Sequence, residues 1–143
     1  MKSTQQTIGR WLLLLPGAIL SWYGIFVAGV FGQQLLIPLL CPANAWVSGF
    51  CHDSRVAHWL YCWAMVVSAT SACVVVLVAS AIAPSRRRLI AVIALLCGSV
   101  VAAMMTWPWG EWQLWYCAVG GGIVGLSLVV KLSRRPTVGL STD

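Results

Sequence analysis

A chain of 143 residues that is 60% hydrophobic and 8% charged, with a mean hydropathy of +0.88, has too little polar surface to cover a water-soluble globule. Its formal net charge of +6 does not point to nucleic acid, because the basic residues stand at the ends of apolar runs, where membrane orientation accounts for them. The composition therefore predicts an all-α membrane protein whose apolar runs face lipid.

Residues 1–10 are short, polar and basic, and Trp11 opens an apolar run to Phe31. A basic start before Leu12-Leu13-Leu14-Leu15 also fits a signal peptide, but the run is about twice the usual length and no small-x-small site closes it. The expectation is a retained first span, 11–31, with Pro16 in its first turn or two, where a missing donor costs least. Residues 32–55 form the one sizeable loop. Within it, Leu35–Leu40 is too short to span and is broken by Pro38, so it lies at the interface or lengthens the first helix slightly.

The second span is expected over 56–83, long enough to cross with tilt or to project. A basic turn at 84–88, Pro84-Ser85-Arg86-Arg87-Arg88, divides the chain into two hairpins. Span three covers 89–106, the tryptophan-rich turn 107–112, span four 113–132 and a polar basic tail 133–143. Backbone groups in hydrocarbon must be satisfied internally, so each span is expected to be a helix.

Lys2, Arg10, Arg86, Arg87, Arg88, Lys131, Arg134 and Arg135 fall on one side of this frame, against Arg55 alone on the other. Eight of the nine basic residues thus share a face, which the positive-inside rule makes cytoplasmic, in a bacterial-type inner membrane with both termini inside. The arginines are first of all topology determinants; anionic lipid or a partner is their second use.

Trp46, Trp59, Trp63, Trp107, Trp109, Trp112 and Trp115 gather around the two outer loops. Such rings settle at headgroups. Seven on one side is also a heavy anchor for so small a bundle, which makes Trp107, Trp109, Trp112 and Trp115 candidate partner contacts. Small residues recur four apart in each span: Gly24, Ala28 and Gly32; Ala64, Ser68 and Ala72; Ala94, Gly98 and Ala102; Cys117, Gly121 and Gly125. That spacing packs helices closely, within the chain or, through Gly121 and Gly125, against a partner. Tyr61-Cys62 and Tyr116-Cys117 give a faint echo between the halves, for which shared topology suffices.

Cys41 and Cys51 lie in the outer loop, and nine intervening residues with Pro42 and Gly49 allow a disulfide. Quinone-linked thiol oxidation would need a Cys-x-x-Cys and a second outer cysteine pair, and the sequence has neither. Cys41, Cys51, His52, Asp53 and His58 are metal-ligating types without a recognisable spacing, so no metal or cofactor is expected. The three acids, Asp53, Glu111 and Asp143, leave only Asp53 and Glu111 to meet across the outer mouth. Apart from residues at their edges the spans hold no Asp, Glu, Lys, Arg or His, which argues against a proton-coupled exporter. The expectation is a non-catalytic accessory, assembly or immunity-like protein that binds other membrane proteins or itself. Alternatives are an oligomeric carrier or pore for a neutral or lipidic molecule, and outer thiol or metal chemistry.

Overall fold

The computed structural model describes residues 2–83 and 86–133, the side chains of 2–8 and of Arg10 excepted. Pro84 and Ser85 of the basic turn, and Arg134 and Arg135 of the tail, lie outside the described residues. Four helices account for most of the rest: α1 (Lys2–Leu40), α2 (Ser54–Ile82), α3 (Arg87–Thr106) and α4 (Trp112–Leu132). Each contains a stretch long and apolar enough to cross a membrane, so the all-α class stands.

The helix ends follow local chemistry. α2 begins where the Asp53 carboxylate accepts from the backbone N–H groups of Arg55 at 2.7 Å and Val56 at 3.4 Å, a side-chain N-cap. It ends at Ala83, whose extended backbone (ψ 122°) is what a following proline imposes. α3 ends in a 3-10 turn, Trp107–Trp109, closed by Gly110 at φ 68°, a conformation that only glycine takes without strain.

α1 runs further than the sequence indicates. It starts at Lys2, so Pro16 sits about four turns inside it rather than in its first turns. It also continues through Pro38 to Leu40, where the Cys41 N–H still bonds to the Ile37 carbonyl at 3.0 Å. Pro38 lies so near the end that the donor it lacks costs one bond of the last turns. Leu35–Leu40 is therefore helix, and the connecting loop shrinks to residues 41–53.

The helices pack in an order the chain does not spell out. The most extensive contact joins α2 to α4, while α1 packs on α2 and touches α3 and α4 slightly at most. α1 and α2 meet in reverse order: Gly17 lies against Ile82, Gly29 against Val67 and Gly32 against Trp63. α2 and α4 meet in the same order, Ala69 beside Gly121 and Cys73 beside Gly125. A Cβ on Gly121 would overlap the Ala69 carbonyl oxygen and lie 2.6 and 2.7 Å from that residue's C and Cα, so the two backbones are in contact. Around this seam Val76, Ala91 and Val129 form the buried core, with Leu77, Ala94, Leu95 and Leu126 packed on it.

Two of the expected small-residue stripes are misplaced. In α1 the contact edge is Gly17, Gly29 and Gly32; Gly24 faces open space and Ala28 is exposed. In α3 Gly98 likewise faces open space, while Ala94 packs on the core together with Ala91 and Leu95. Uniformly apolar helices carry no polar stripe to give the phase away.

Helix lengths differ in a way that shapes the whole molecule. At 1.5 Å per residue, α1 is about 58 Å long and α2 about 43 Å, against about 30 Å for α3 and α4. The α2–α4 register sets the start of α4 level with Tyr61. The first turns of α2 and the end of α1 therefore project about 10 Å beyond it. At the opposite end α1 runs on past Ile82, carrying Leu12, Leu13 and Leu15, all exposed.

Candidate functional site

The projecting arm and the tryptophan turn below it form a step at one end of the bundle, and most of the sequence-predicted site residues gather there. The arm is capped by a two-stranded hairpin, β1 (Trp46–Val47) and β2 (Phe50–Cys51), pairing Trp46 with Cys51 and Val47 with Phe50. Its loop, Ser48-Gly49, has positive φ at both positions (51° and 83°), the twist that two-residue hairpins favour. Cys41 and Cys51 are joined by a disulfide, Cα to Cα 6.0 Å, as their placement in the loop led us to expect. The bond ties the end of α1 to β2. An Ala45 carbonyl that accepts from the His52 N–H at 3.0 Å closes the same unit.

These local bonds occupy three of the five candidate metal ligands, Cys41, Cys51 and Asp53. Both sulfurs of the outer pair are in the disulfide, and the Asp53 carboxylate is committed to the start of α2. His58 approaches only Cys62, Nε2 to Sγ 3.8 Å, and His52 is exposed. Among the described residues no three His, Cys, Asp or Glu side chains converge on a metal position. Asp53 and Glu111 do not meet. Glu111 Oε2 accepts from the Tyr61 hydroxyl at 2.7 Å, two turns of α2 below Asp53.

The tryptophans divide into two groups. Trp63 Nε1–H donates to the Gly29 carbonyl of α1 at 2.9 Å, and Trp115 Nε1–H to the Ser99 carbonyl of α3 at 3.0 Å, both half-buried. They act as clasps between helices, so Trp115 is spent inside the chain. Ser68 Oγ adds a bond to the Leu114 carbonyl at 3.1 Å. Such interhelical bonds contribute about 0.6 kcal/mol each on average in lipid. Trp107 and Trp109, by contrast, are 70% and 80% exposed. Trp112 stands between the groups, edge-on to Trp107 at 5.2 Å and to Trp115 at 6.5 Å.

Gly121 and Gly125 are covered by the α2 backbone and not presented to a partner. Sequence reasoning placed Tyr61 and Glu111 at this end but not as a pair, and it missed Gly29. The Tyr61–Glu111 pair lies 50 residues apart with no local pattern, and Gly29 is one glycine among 13. No family model, curated protein or solved structure matches the chain.

Proposed function

We propose that this is a non-catalytic accessory subunit of a membrane protein assembly, embedded in a bacterial inner membrane with both termini in the cytoplasm. Orientation rests on charge. Arg86, Arg87, Arg88 and Lys131 stand at the end opposite the disulfide, with Lys2, Arg10, Arg134 and Arg135 on the same side by sequence.

The observation that carries the partner-binding reading is the mismatch of helix lengths. The apolar run of α1, Trp11–Leu40, spans about 45 Å, against a hydrocarbon core of about 30 Å. Tilt alone would need about 48°, beyond the usual range, and would leave α3 and α4 too short to cross. Lipid therefore cannot cover both halves at once. The surplus is apolar and exposed: Leu35 68%, Leu39 80% and Phe50 73% at the arm, Leu12 and Leu13 at the other end. A second membrane protein lying along α1 would bury it, and Trp107 and Trp109 on the step offer it rigid aromatic anchors. The carrier or pore reading needs Gly121 and Gly125 of α4 to line a passage, and α2 covers both. The thiol reading needs a second outer cysteine pair to exchange with the Cys41–Cys51 disulfide, and the tryptophan turn contains no cysteine.

Gentle extraction of the tagged chain at native levels, followed by native mass measurement, tests this reading. A membrane protein in fixed stoichiometry is the expected result, lost in a W107A/W109A variant that inserts normally. A homo-oligomer or monomer without partner refutes it.

A further inference from the structure

The bonds of the outer loop leave His58 unspent, and α2 places a thiol beside it. His58 and Cys62 are four residues apart in the first three turns of α2, so their side chains stand one above the other on the same face. His58 Nε2 and Cys62 Sγ are 3.8 Å apart; His58 is exposed, and Cys62 is half-buried with its thiol free. Both stand at the step. Tyr61, next to Cys62 in sequence, bonds to Glu111 at the start of α4.

A thiol is a weak donor, and 3.8 Å makes little of it as a hydrogen bond. The same separation suits one bridging metal ion. An ion about 2.0–2.1 Å from the nitrogen and about 2.3 Å from the sulfur closes the triangle with an angle at the metal of about 120°, the separation unchanged.

The donor set selects the ion. Thiolate and imidazole suit soft and borderline metals. Zinc takes four ligands, and among the described residues no third His, Cys, Asp or Glu joins this pair. The Asp53 carboxylate is held at the start of α2, Glu111 accepts from Tyr61, and both outer-loop sulfurs are in the disulfide. Cu(I), with a filled d shell, is stable with two or three ligands, and an angle near 120° leaves its third position open toward the exposed side.

We propose that His58 and Cys62 form a binding site for one Cu(I) ion. On binding, the Cys62 thiol loses its proton to water and His58 stays neutral. Cation and thiolate then cancel, so the loaded site adds no charge beside Arg55, one turn away on α2. The site belongs to the isolated chain and stands or falls apart from the partner-binding reading.

The test is titration of the full chain in mild detergent, without oxygen, with Cu(I) generated by ascorbate, which leaves the Cys41–Cys51 disulfide intact. One Cu(I) per chain is expected to be retained against a chromophoric Cu(I) chelator, with an ultraviolet thiolate-to-copper band. H58A and C62S should each weaken retention at least about tenfold. The C73A/C97A/C117A variant, whose remaining free thiol is Cys62, should keep its one ion. Retention that survives H58A shows a thiol acting alone and overturns the site. Retention that follows Cys73, Cys97 or Cys117, or equal retention of Zn(II), overturns it as well. Unchanged helicity of H58A, at an exposed position, separates lost binding from lost fold.

Discussion

Two adjacent glycines in α4 should respond in opposite directions to the same methyl group. At Gly120 an added Cβ meets nothing within 4 Å. Gly120→Ala therefore keeps only the helix-propensity gain, about 1 kcal/mol. At Gly121 the same Cβ overlaps the Ala69 carbonyl oxygen and comes within 2.6–2.7 Å of that residue's C and Cα, all backbone atoms that no rotamer change can move aside. α2 and α4 must separate along their most extensive contact, and Ala69→Gly cannot rescue them. Overpacking costs about 1–3 kcal/mol, and a backbone clash belongs at the upper end. After the propensity gain, Gly121→Ala should lose about 2 kcal/mol, a difference of about 3 kcal/mol between neighbours. Reversible unfolding in mild detergent, followed by helicity, measures both. If Gly121→Ala is as stable as Gly120→Ala, the backbone seam between α2 and α4 is refuted.

Three further outcomes follow from named contacts. Cys41 and Cys51 should resist alkylation until reduced, and the double Cys→Ser variant should lose on the order of 2–3 kcal/mol, read as a lower unfolding midpoint. Asp53→Ala removes the α2 cap and should cost about 1 kcal/mol in the same assay, with Asp53→Asn restoring most of it. Trp63→Phe and Trp115→Phe each lose one interhelical bond together with part of the packed indole, so each should cost about 1–2 kcal/mol, whereas Trp109→Phe, on an exposed ring, should cost nothing measurable.

Much of the architecture was legible because long apolar runs form helices, and the basic turn after Ala83 and the Trp-Pro-Trp-Gly turn mark the breaks. The disulfide was legible too, since two cysteines in one short loop have few other choices. The face of α1 was not. With apolar residues all round, Gly24 and Gly29 look alike in sequence, and only the shape of α2 selects Gly29. Pro38 reads as a break, yet the helix carries it because so few bonds remain to lose. Trp63 and Trp115 read as headgroup anchors, but their N–H groups find carbonyls on neighbouring helices, a choice set by residues 34 and 16 positions away. The pairing of α2 with α4 skips a helix, and no local pattern announces a contact between segments joined through α3.

That skipped pairing bears on how the chain is made. α1 and α2 are consecutive and can close on each other as soon as the second has been synthesised. The Gly121 face fits a surface on α2 that must then stay uncovered while α3 and α4 are still being synthesised. During that interval the small side chains of Ala69 and Cys73 form an open slot in the half-built protein, and any passing helix with a glycine pair can try it. Fidelity of biogenesis therefore depends on α4 arriving before a stranger does, and the short turn after α2 keeps that wait brief.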